Sequence, residues 1–549
     1  MMAIETTITQ EMIDEYTSKG FWGKPTARDS LRQRVKEFPD RVAVIDRERR
    51  VTFRELDEMS DRLALSFSEL DIQKEDIVCI QLPNTIEAVT TFFALIKAGA
   101  IVVAFPILYR SKEVHYILKL TRASVFIIPE RFKGFDYLKM ARELSADLPD
   151  LEHIVVSGGA APPGTHSLKE MLETGLEEKY PSDYLRRIEI KSSDIAQIFI
   201  TAGTEAEPKA PMWTHNIVGC ITPYMANSFR ITKDSVVFCA VPISSGFGGF
   251  VGCFLAIAYT GATLVVLDKF EAGETLEWIE KEKVTHLLAV SAQMISMLNV
   301  PDLEKHDFSS FESWISFGAP LPAPVAMEAR SRMGCRVYSG YGSTEGVVMI
   351  PHWDDPLEVV TETVGRAVPG CEIIILDDNG QEVPPGEDGE LCAKGPTVFG
   401  GYYGRPDLTK KSRNQEGWFF TGDRALIDDN GNVRIVGRKK DMILRGGMNI
   451  SAEEIEDLLL THPKVLNTSV VAMPDHRMGE KVCAFIVPKK GESIVLEEAV
   501  SFLRDKQLAV YKLPERVELV DELPITPAGK VQKRFLRERI AKKLETEGH

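Results

Sequence analysis

Short apolar runs alternate with amphipathic stretches through roughly the first two thirds of the chain. Thr52 stands three residues before Glu55, the pattern of a capping box, and the spacing of apolar residues after it predicts a helix. The next run, 77–82, is apolar except for Gln81 and predicts a buried strand. A helix and a strand follow again at 85–105, with Gly99 between them as a stop signal. This alternation predicts an α/β fold of doubly wound, mostly parallel sheets, with ligands beyond the carboxyl ends of the strands.

The pattern changes after about residue 365. Short strands separated by turn signals follow, and the turn sequence Asp-Asn-Gly occurs twice among them. Near residue 441 the pattern changes again, to helices and strands that predict a small α+β domain ending in a basic, solvated helix. We therefore predict an N-terminal region at 1–437 with a β-rich subdomain at about 365–437, a hinge at 438–440 and a C-terminal domain at 441–549.

Composition and charge narrow the class of protein. The chain has 549 residues, of which 44% are hydrophobic and 27% charged, which suits several folded domains rather than a disordered or fibrous chain. Its 65 basic and 81 acidic residues give a net charge of −16, which disfavours electrostatic binding to nucleic acid or to an anionic membrane. The N-terminus lacks the pattern of a signal peptide, and the longest nearly apolar run, 251–259, is too short to span a bilayer. We expect a cytoplasmic protein without an integral membrane segment, with its eight cysteines reduced.

A loop that combines two threonines, a glycine, a proline and a lysine follows the apolar strand predicted at 195–200. Thr201 and Thr204 offer hydroxyl donors, and Gly203 permits the backbone angles that let N–H groups converge. Lys209 adds a positive charge. These residue types favour phosphate binding, and the alternative is an ordinary polar connection between two strands.

This loop resembles the phosphate loop of the adenylate-forming superfamily, which includes acyl-CoA synthetases, aryl-acid AMP ligases and luciferases. The matching positions are Thr201, Gly203, Thr204, Pro208 and Lys209. The positions that depart from the family pattern are Ala202, Glu205, Ala206 and Ala210. A carboxylate beside a bound phosphate would repel it, so the departures predict altered binding of ATP or pyrophosphate.

The other motifs of the superfamily recur in the same order along nearly the whole chain. The sequence SFGAPL resembles the loop that lines the adenine pocket, which implies nucleotide contacts for Gly318, Ala319 and Pro320. The sequence YGSTEG resembles the motif YGxTE, which implies that Tyr341 packs on adenine with Gly342 beside it.

The resemblance also implies the residues that act on phosphate, ribose and metal. Thr344 is implied to hydrogen-bond the α-phosphate, and Glu345 to help hold Mg²⁺. GWFFTGD places Asp423 as the acceptor for the ribose hydroxyls, and Arg438 is implied to reach the ribose or the phosphates. The C-terminal signature places Lys530 as the catalytic lysine that bridges the substrate carboxylate and the α-phosphate.

The hinge and the thiol channel come from the same resemblance. Lys440 occupies the hinge position, about which a mobile C-terminal domain is implied to swing between two half-reactions. The glycines of the following Arg-Gly-Gly sequence, Gly446 and Gly447, leave room for the pantetheine arm of coenzyme A.

The resemblance implies that three segments form the acyl pocket: 241–252, 316–318 and 339–346. Dihydroxybenzoate ligases carry His-Asn after the proline of the first segment, where this chain has Ile243 and Ser244, which disfavours that acid. No charged residue lies within 241–252 or 316–318, and glycines stand beside phenylalanines, which predicts a compact alicyclic or aromatic acid such as cyclohexanecarboxylate, cyclohexenecarboxylate or benzoate. The predicted pocket residues are Ser245, Phe247, Gly248, Phe317 and Gly340.

The resemblance thus implies an AMP-forming acid:CoA ligase that uses ATP, Mg²⁺ and coenzyme A and acts through an acyl-adenylate. The altered phosphate loop adds the hypothesis that the enzyme runs in reverse to make ATP. Two alternatives stay open. One is a stand-alone aryl- or acyl-AMP ligase that loads a carrier protein, and the other is a non-catalytic sensor of nucleotide or acyl-adenylate, which the presence of Lys530 disfavours. The oligomeric state does not follow from the sequence.

Overall fold

The computed structural model describes residues 4–201, 208–318, 321–446, 448–526 and 530–547. Two seven-stranded, mostly parallel sheets dominate the fold, which confirms the predicted α/β class. In the first sheet the strand Met212–Thr214, which comes last in the sequence, runs antiparallel to its neighbour. The other described pairs of strands in this sheet are parallel. In spatial order its strands are Met212–Thr214, Ile195–Ile198, Ile101–Ala104, Ile77–Ile80, Val125–Pro129, His153–Ser157 and His166–Ser167.

The second sheet has the same construction. Its strands are parallel except for the hairpin between the two nearest the N-terminus. Their spatial order is Arg336–Ser339, Ser313–Ser316, His286–Leu288, Val236–Cys239, Thr263–Val266, Val42–Ile45 and Arg50–Thr52.

The local sequence sets the helix ends as predicted. The helix Phe53–Glu69 begins after Thr52, whose hydroxyl accepts from the Glu55 N–H while the Glu55 carboxylate accepts from the Thr52 N–H. The helix Ile86–Ala98 ends at Gly99, which has a left-handed φ of 75°. The other α-helices of the N-terminal region are Gln10–Ser18, Ala27–Glu37, Ser111–Thr121, Tyr137–Ser145, Leu168–Glu173, Tyr184–Arg187, His215–Ser228, Leu255–Thr260, Ala272–Lys281, Ser291–Leu298, Ala323–Met333, Leu357–Glu362 and Pro406–Lys411.

The largest apolar cluster joins the two sheets. Phe92 of the helix Ile86–Ala98 packs against Phe250 and Phe254, with ring centroids 5.6 and 5.1 Å away. Both partners belong to a π-helix, Gly246–Phe254, so the core fixes this unusual element in place.

Two small antiparallel sheets follow in the chain. The first consists of Tyr341–Gly342, Val348–Ile350 and Arg366–Ala367, and the second of Glu372–Leu376, Gly389–Lys394, Phe419–Ile427 and Val433–Arg438. The two Asp-Asn-Gly sequences form turns of the same kind in the second sheet. Asp377 Oδ1 accepts from the N–H of Asn379, and Asp428 Oδ1 accepts from the N–H of Asn430.

A further sheet of five strands begins beyond the 3₁₀ turn Lys439–Asp441. Its strands are Met448–Ile450, Ile443–Arg445, Gly479–Pro488, Val465–Asp475 and Arg516–Leu519. The helices Ala452–Leu459 and Leu496–Asp505 pack in one apolar cluster on this sheet, and Lys533–Glu547 packs in another. None of the helices in the described part of the chain combines the length and the apolar character that crossing a membrane requires.

Candidate active site

Two neighbouring parallel strands end at the same edge of the second sheet and carry the first part of the site. Phe317 and Gly318 follow the strand Ser313–Ser316, and Gly340 follows the strand beside it. A Cβ on Gly340 would lie 2.1 Å from Phe317 Cε1, so only glycine lets the phenylalanine ring take this position. Gly318 has a φ of +90°, which also favours glycine.

Three residues implied to bind the nucleoside form one hydrogen-bonded chain. The Tyr341 hydroxyl donates to Asp423 Oδ2 at 2.5 Å, and Arg438 Nε lies 3.1 Å from Asp423 Oδ1. Asp423 and Arg438 face each other across two antiparallel strands. Burial and the adjacent Asp423 carboxylate raise the pKa of Tyr341 far above its ordinary value, so the phenol stays a donor. Each oxygen of Asp423 keeps a lone pair that can accept from a ribose hydroxyl.

Glu345, the residue implied to hold Mg²⁺, is fixed from several sides. Its Oε2 accepts from the Thr344 hydroxyl at 3.1 Å, and its Oε1 accepts from the Tyr402 hydroxyl at 2.9 Å. The backbone here is held by Trp213 Nε1, which donates to the Thr344 carbonyl, and by the Phe399 N–H, which donates to the Glu345 carbonyl. Sequence reasoning missed Tyr402 and Trp213, because a single aromatic residue in the sequence does not indicate which distant group its polar atom reaches.

The donor set around Glu345 fits a magnesium ion that arrives with a nucleotide. Its two carboxylate oxygens each accept one hydrogen bond and keep further lone pairs, and Mg²⁺ prefers such oxygen ligands. Within the described ranges no group of three or more His, Cys, Asp or Glu side chains could hold a metal ion by itself. One carboxylate therefore suits an ion whose other ligands are substrate phosphates and water.

The two ends of the predicted phosphate loop are joined by hydrogen bonds. The Thr201 N–H donates to the Lys209 carbonyl at 2.9 Å, and the Lys209 N–H donates to Thr201 Oγ1 at 3.0 Å. Lys209 Nζ lies 5.0 Å from the centroid of the Tyr402 ring. Gly203, Thr204, Ala202, Glu205 and Ala206 lie outside the described residues, as do Ala319, Pro320, Gly447 and the side chain of Phe247.

Lys530 reaches the site from the C-terminal domain. The Lys530 N–H donates to Thr526 Oγ1 at 3.1 Å, and a Cβ on Gly318 would lie 3.5 Å from Lys530 Cε. Lys530 keeps exposed surface, but desolvation by the protein around it and the Arg438 charge lower its pKa to about 8. The carboxylates of Asp423 and Glu345 act in the opposite direction. Lys530 therefore lies within electrostatic range of the residues implied for ribose and metal.

Ser245, a predicted pocket residue, has a structural contact of its own. Its hydroxyl accepts from the Gly249 N–H at 3.1 Å and so caps the π-helix Gly246–Phe254. A side chain at position 249 would collide with the backbone, because a Cβ there would lie 2.1 Å from the Pro242 carbonyl oxygen.

The start of this π-helix lies against the catalytic side of the site. A Cβ on Gly246 would lie 3.2 Å from Thr344 Cγ2 and 3.3 Å from Phe199 Cδ1. Phe199 in turn packs edge-on against Phe250, with ring centroids 5.7 Å apart. Gly248, also a predicted pocket residue, lies two residues further along the chain, where a Cβ would be 3.5 Å from Val241 Cγ2. These residues form an apolar, aromatic surface beside Thr344.

The predicted hinge, 438–440, overlaps the 3₁₀ turn Lys439–Asp441, which has Lys440 at its centre, and begins at the last residue of the strand Val433–Arg438. Lys439 Nζ lies 3.1 Å from Asp378 and 3.3 Å from Glu390, so the first residue of the turn is tied to the β-rich part of the N-terminal region. Beyond it, Gly446 has a φ of +57°, and a Cβ there would lie 2.6 Å from Met478 Cε.

The C-terminal domain contacts the strand Val433–Arg438 through its first helix. The Ser451 hydroxyl donates to the Val436 carbonyl at 2.7 Å, and a Cβ on Gly437 would lie 3.8 Å from the Glu453 carboxyl carbon. Burial raises the pKa of Glu453 to about 8 and that of Asp457 to about 7. The interface therefore contains carboxyl groups whose pKa values lie near neutral pH.

The basic C-terminal helix is not solvated throughout, contrary to the sequence-based expectation. Lys533 Nζ lies 2.9 Å from Glu456, and each side chain is only 15% exposed. Arg537 pairs with Asp441 of the 3₁₀ turn at 2.7 Å. The sequence shows the excess of positive charge in this helix, but only the packing shows which charges have partners.

Comparison with known proteins agrees with this arrangement. Residues 31–403 match the family described as AMP-binding enzyme, and residues 454–530 match the AMP-binding enzyme C-terminal domain. The chain is 34% identical to the medium-chain fatty-acid–CoA ligase of Escherichia coli (strain K12), covering 99% of this chain and 95% of the relative. It is also 34% identical to the 2,3-dihydroxybenzoate-AMP ligase of Bacillus subtilis (strain 168), covering 97% of each.

A solved structure resembles the whole fold. The anthranilate CoA ligase AuaEII, crystallised in complex with anthranoyl-AMP, superposes with a TM-score of 0.84 at 26% identity, covering 95% of this chain and 98% of that one. The likeness extends over both the large sheets and the C-terminal domain, because nearly the full length is covered. The chain therefore belongs to the AMP-binding, adenylate-forming family of enzymes that its motifs predict.

Proposed function

We propose that this protein is an AMP-forming acid:CoA ligase that acts through an acyl-adenylate on a compact alicyclic or aromatic acid. The observation that carries the proposal is the position of Lys530 over Gly318, close to both Asp423 and Glu345. A lysine delivered from a separate domain to this point has a role in catalysis, whereas a nucleotide sensor needs only the N-terminal side of the site.

The first half-reaction joins the acid to AMP. A carboxylate oxygen of the acid attacks the α-phosphorus of ATP, and pyrophosphate leaves with the electron pair of the broken P–O bond. The Lys530 ammonium, protonated below a pKa of about 8, stabilises the negative charge shared by the two reacting groups. Asp423 and Arg438 orient the ribose, and the Thr344 hydroxyl turns from Glu345 to donate to the α-phosphate when ATP binds. Mg²⁺ held by Glu345 and the phosphates would supply further positive charge.

The second half-reaction transfers the acyl group to a thiol. The thiolate attacks the acyl carbon, and AMP leaves with the electrons of the mixed anhydride bond. We propose that the C-terminal domain turns about Lys440 for this step and brings the hairpin at Gly446 to the channel for coenzyme A. The polar interface described above supports such a movement, since it includes a side-chain hydrogen bond and an ionisable carboxyl group.

The acid is proposed from the surface beside Thr344. The Phe317 ring lies close to Gly340, and the turn at Gly246 approaches Phe199, so aromatic rings bound this side of the site. Segments 241–252 and 316–318 contain no charged residue that would pair with a second charge on the substrate. A ring-shaped apolar acid fits such a surface better than a diacid or an amino acid.

A carrier-protein-loading ligase is the second candidate, because a 2,3-dihydroxybenzoate-AMP ligase is as similar to this chain as the fatty-acid–CoA ligase is. Both candidates share the adenylation half-reaction and every residue assigned to it. They differ only in the thiol that accepts the acyl group.

The test is AMP formation from Mg·ATP with benzoate, cyclohexanecarboxylate, cyclohexenecarboxylate and linear acids, each with and without coenzyme A. Signal that depends on coenzyme A, together with a thioester product, supports the first proposal and identifies the acid. Pyrophosphate exchange without thioester points to a carrier protein, tested next with a holo carrier. The reverse assay, ATP formation from acyl-CoA, AMP and pyrophosphate, tests the preferred direction. Silence in all assays contradicts a catalytic role.

A further inference from the structure

The segment that follows residue 398 forms a short antiparallel pair with the strand leaving the phosphate loop. The Gly400 N–H donates to the Met212 carbonyl at 2.9 Å, and the Met212 N–H donates to the Gly401 carbonyl at 3.0 Å. The Tyr403 N–H donates to the Ala210 carbonyl at 2.8 Å. Because these bonds flank residue 402, its backbone position is fixed relative to Lys209, which immediately precedes Ala210 in the chain.

Tyr402 connects two groups of the site through its side chain. Its hydroxyl donates to Glu345 Oε1 at 2.9 Å, and Lys209 Nζ lies 5.0 Å from the centroid of its ring. The residue is only 3% exposed, so the hydroxyl needs a protein partner and the ring meets the ammonium in a largely dry setting. Burial and the Glu345 carboxylate raise the pKa of Tyr402 well above its ordinary value, so the hydroxyl remains a donor.

We propose that Tyr402 is a positioning residue that aligns the metal-binding carboxylate of Glu345 with the phosphate-loop ammonium of Lys209. The inference rests on the proposed function, which assigns ATP and Mg²⁺ to these groups. One oxygen of Glu345 is held by Tyr402 and the other by Thr344, so the plane of the carboxylate is set before a metal arrives.

The physical advantage lies in preorganisation. A carboxylate that could rotate would have to be oriented each time Mg·ATP binds, and that ordering would weaken the binding. Lys209 and Glu345 carry opposite charges, and the tyrosine ring gives the ammonium a favourable contact that does not consume the carboxylate. Both groups thus remain available to the triphosphate and its metal ion.

The test compares Tyr402→Phe, which removes only the hydroxyl, with Tyr403→Phe as the matched control. The Tyr403 side chain packs in the apolar cluster of the first sheet instead of contacting Glu345. Binding of Mn²⁺ is measured by electron paramagnetic resonance on the full-length enzyme with α,β-methylene-ATP. We expect Tyr402→Phe to weaken Mn²⁺ binding about tenfold, as the loss of a ligand-orienting hydrogen bond does at other metal sites. Tyr403→Phe should leave it unchanged.

Activity and a second variant separate the two contacts. In Tyr402→Phe the Mg²⁺ concentration for half-maximal adenylation should rise while kcat at saturating Mg²⁺ is largely recovered, a split that general destabilisation does not produce. Tyr402→Leu should also weaken nucleotide binding at saturating metal, because it removes the ring beneath Lys209. Equal Mn²⁺ affinity in Tyr402→Phe and the wild type would overturn the proposal. The Mn²⁺ measurement needs no acid, so it remains decisive if every acid of the panel fails.

Discussion

The two sides of the site are held in different ways. On the N-terminal side, Asp423 and Arg438 are locked opposite each other by backbone pairing, and Tyr341 closes the same hydrogen-bonded chain. On the C-terminal side, Lys530 belongs to a separate domain, where its N–H donates to Thr526 Oγ1. This domain contacts the N-terminal region through polar groups such as the Ser451 hydroxyl, which donates to the Val436 carbonyl. The residues implied to bind the nucleotide are therefore held by backbone pairing within one sheet, while Lys530 comes from a second domain that contacts this sheet through polar groups.

The chemistry of that interface supports the domain movement proposed above. Glu453 and Asp457 are partly buried on the helix that contacts the strand Val433–Arg438, and desolvation of a carboxyl group costs free energy. An apolar interface would hold the domain in one position, whereas this one balances gains against desolvation. Two half-reactions that need different domain positions are well served by such a balance.

The largest effect is expected when the delivered lysine is removed. Lys530→Ala should lower the adenylation rate by about 10²- to 10³-fold, because the transition state loses a preorganised positive charge. Transfer of the acyl group from synthetic acyl-adenylate to coenzyme A should change little, since that step uses another face of the domain. Pyrophosphate exchange and thioester formation measure the two steps, and Lys542→Ala, an exposed lysine of the same domain, is the control. Equal losses in both steps would contradict the assigned role.

The N-terminal side of the site is tested at Gly340, which lies against the Phe317 ring. Gly340→Ala places a Cβ 2.1 Å from Phe317 Cε1, so the ring of this predicted pocket residue must shift. We expect kcat/KM for the acid to fall roughly 10- to 100-fold, which corresponds to the usual cost of overpacking. Gly159→Ala is the control, because a Cβ there meets nothing within 4 Å. Steady-state kinetics with the best acid of the panel measures the effect, and an unchanged kcat/KM would exclude Gly340 from the pocket.

The pH profile of adenylation sharpens the contrast between the two sides. Because the pKa of Lys530 is lowered to about 8, the lysine is charged below that pH and loses its proton above it. The adenylation rate should fall by up to about tenfold per pH unit above about pH 8. Lys530→Arg keeps its charge, so its slower rate should stay level across this range. A parallel decline in both enzymes would show that another group controls the profile.

The smallest expected effect concerns the fraction of molecules in which the C-terminal domain is docked on the N-terminal region. The pKa of Glu453 is about 8 when docked and 4.5 ordinarily, so the docked state holds a proton that the undocked state releases between these values. The docked population should therefore fall as pH rises through this window. Glu453→Gln should remove much of this dependence and leave the part due to Asp457. Energy transfer between dyes on the two domains measures the population. Glu454→Gln is the control, because Glu454 pairs with Lys512 of the same domain.

Local sequence patterns predicted the local structure well. The capping box at Thr52 and the stop at Gly99 are present because each depends on residues within one helical turn. The hydrogen bond from the Tyr402 hydroxyl to Glu345 was not predictable in this way, because the two residues are 57 positions apart in the chain. The expectation that Lys533 is solvated was wrong because its partner, Glu456, lies on a helix far away in the sequence.

The sequence by itself determined the α/β class, the turns of the small sheets and the residue types available for phosphate, ribose and acid. Those features depend on periodicity and on contacts between near neighbours along the chain. Only the tertiary structure decided that Tyr341 hydrogen-bonds Asp423, that Ser245 caps a π-helix and that Tyr402 connects Lys209 with Glu345. These pairings join strands and loops that folding brings together, and their geometry depends on distances that one-dimensional spacing does not contain.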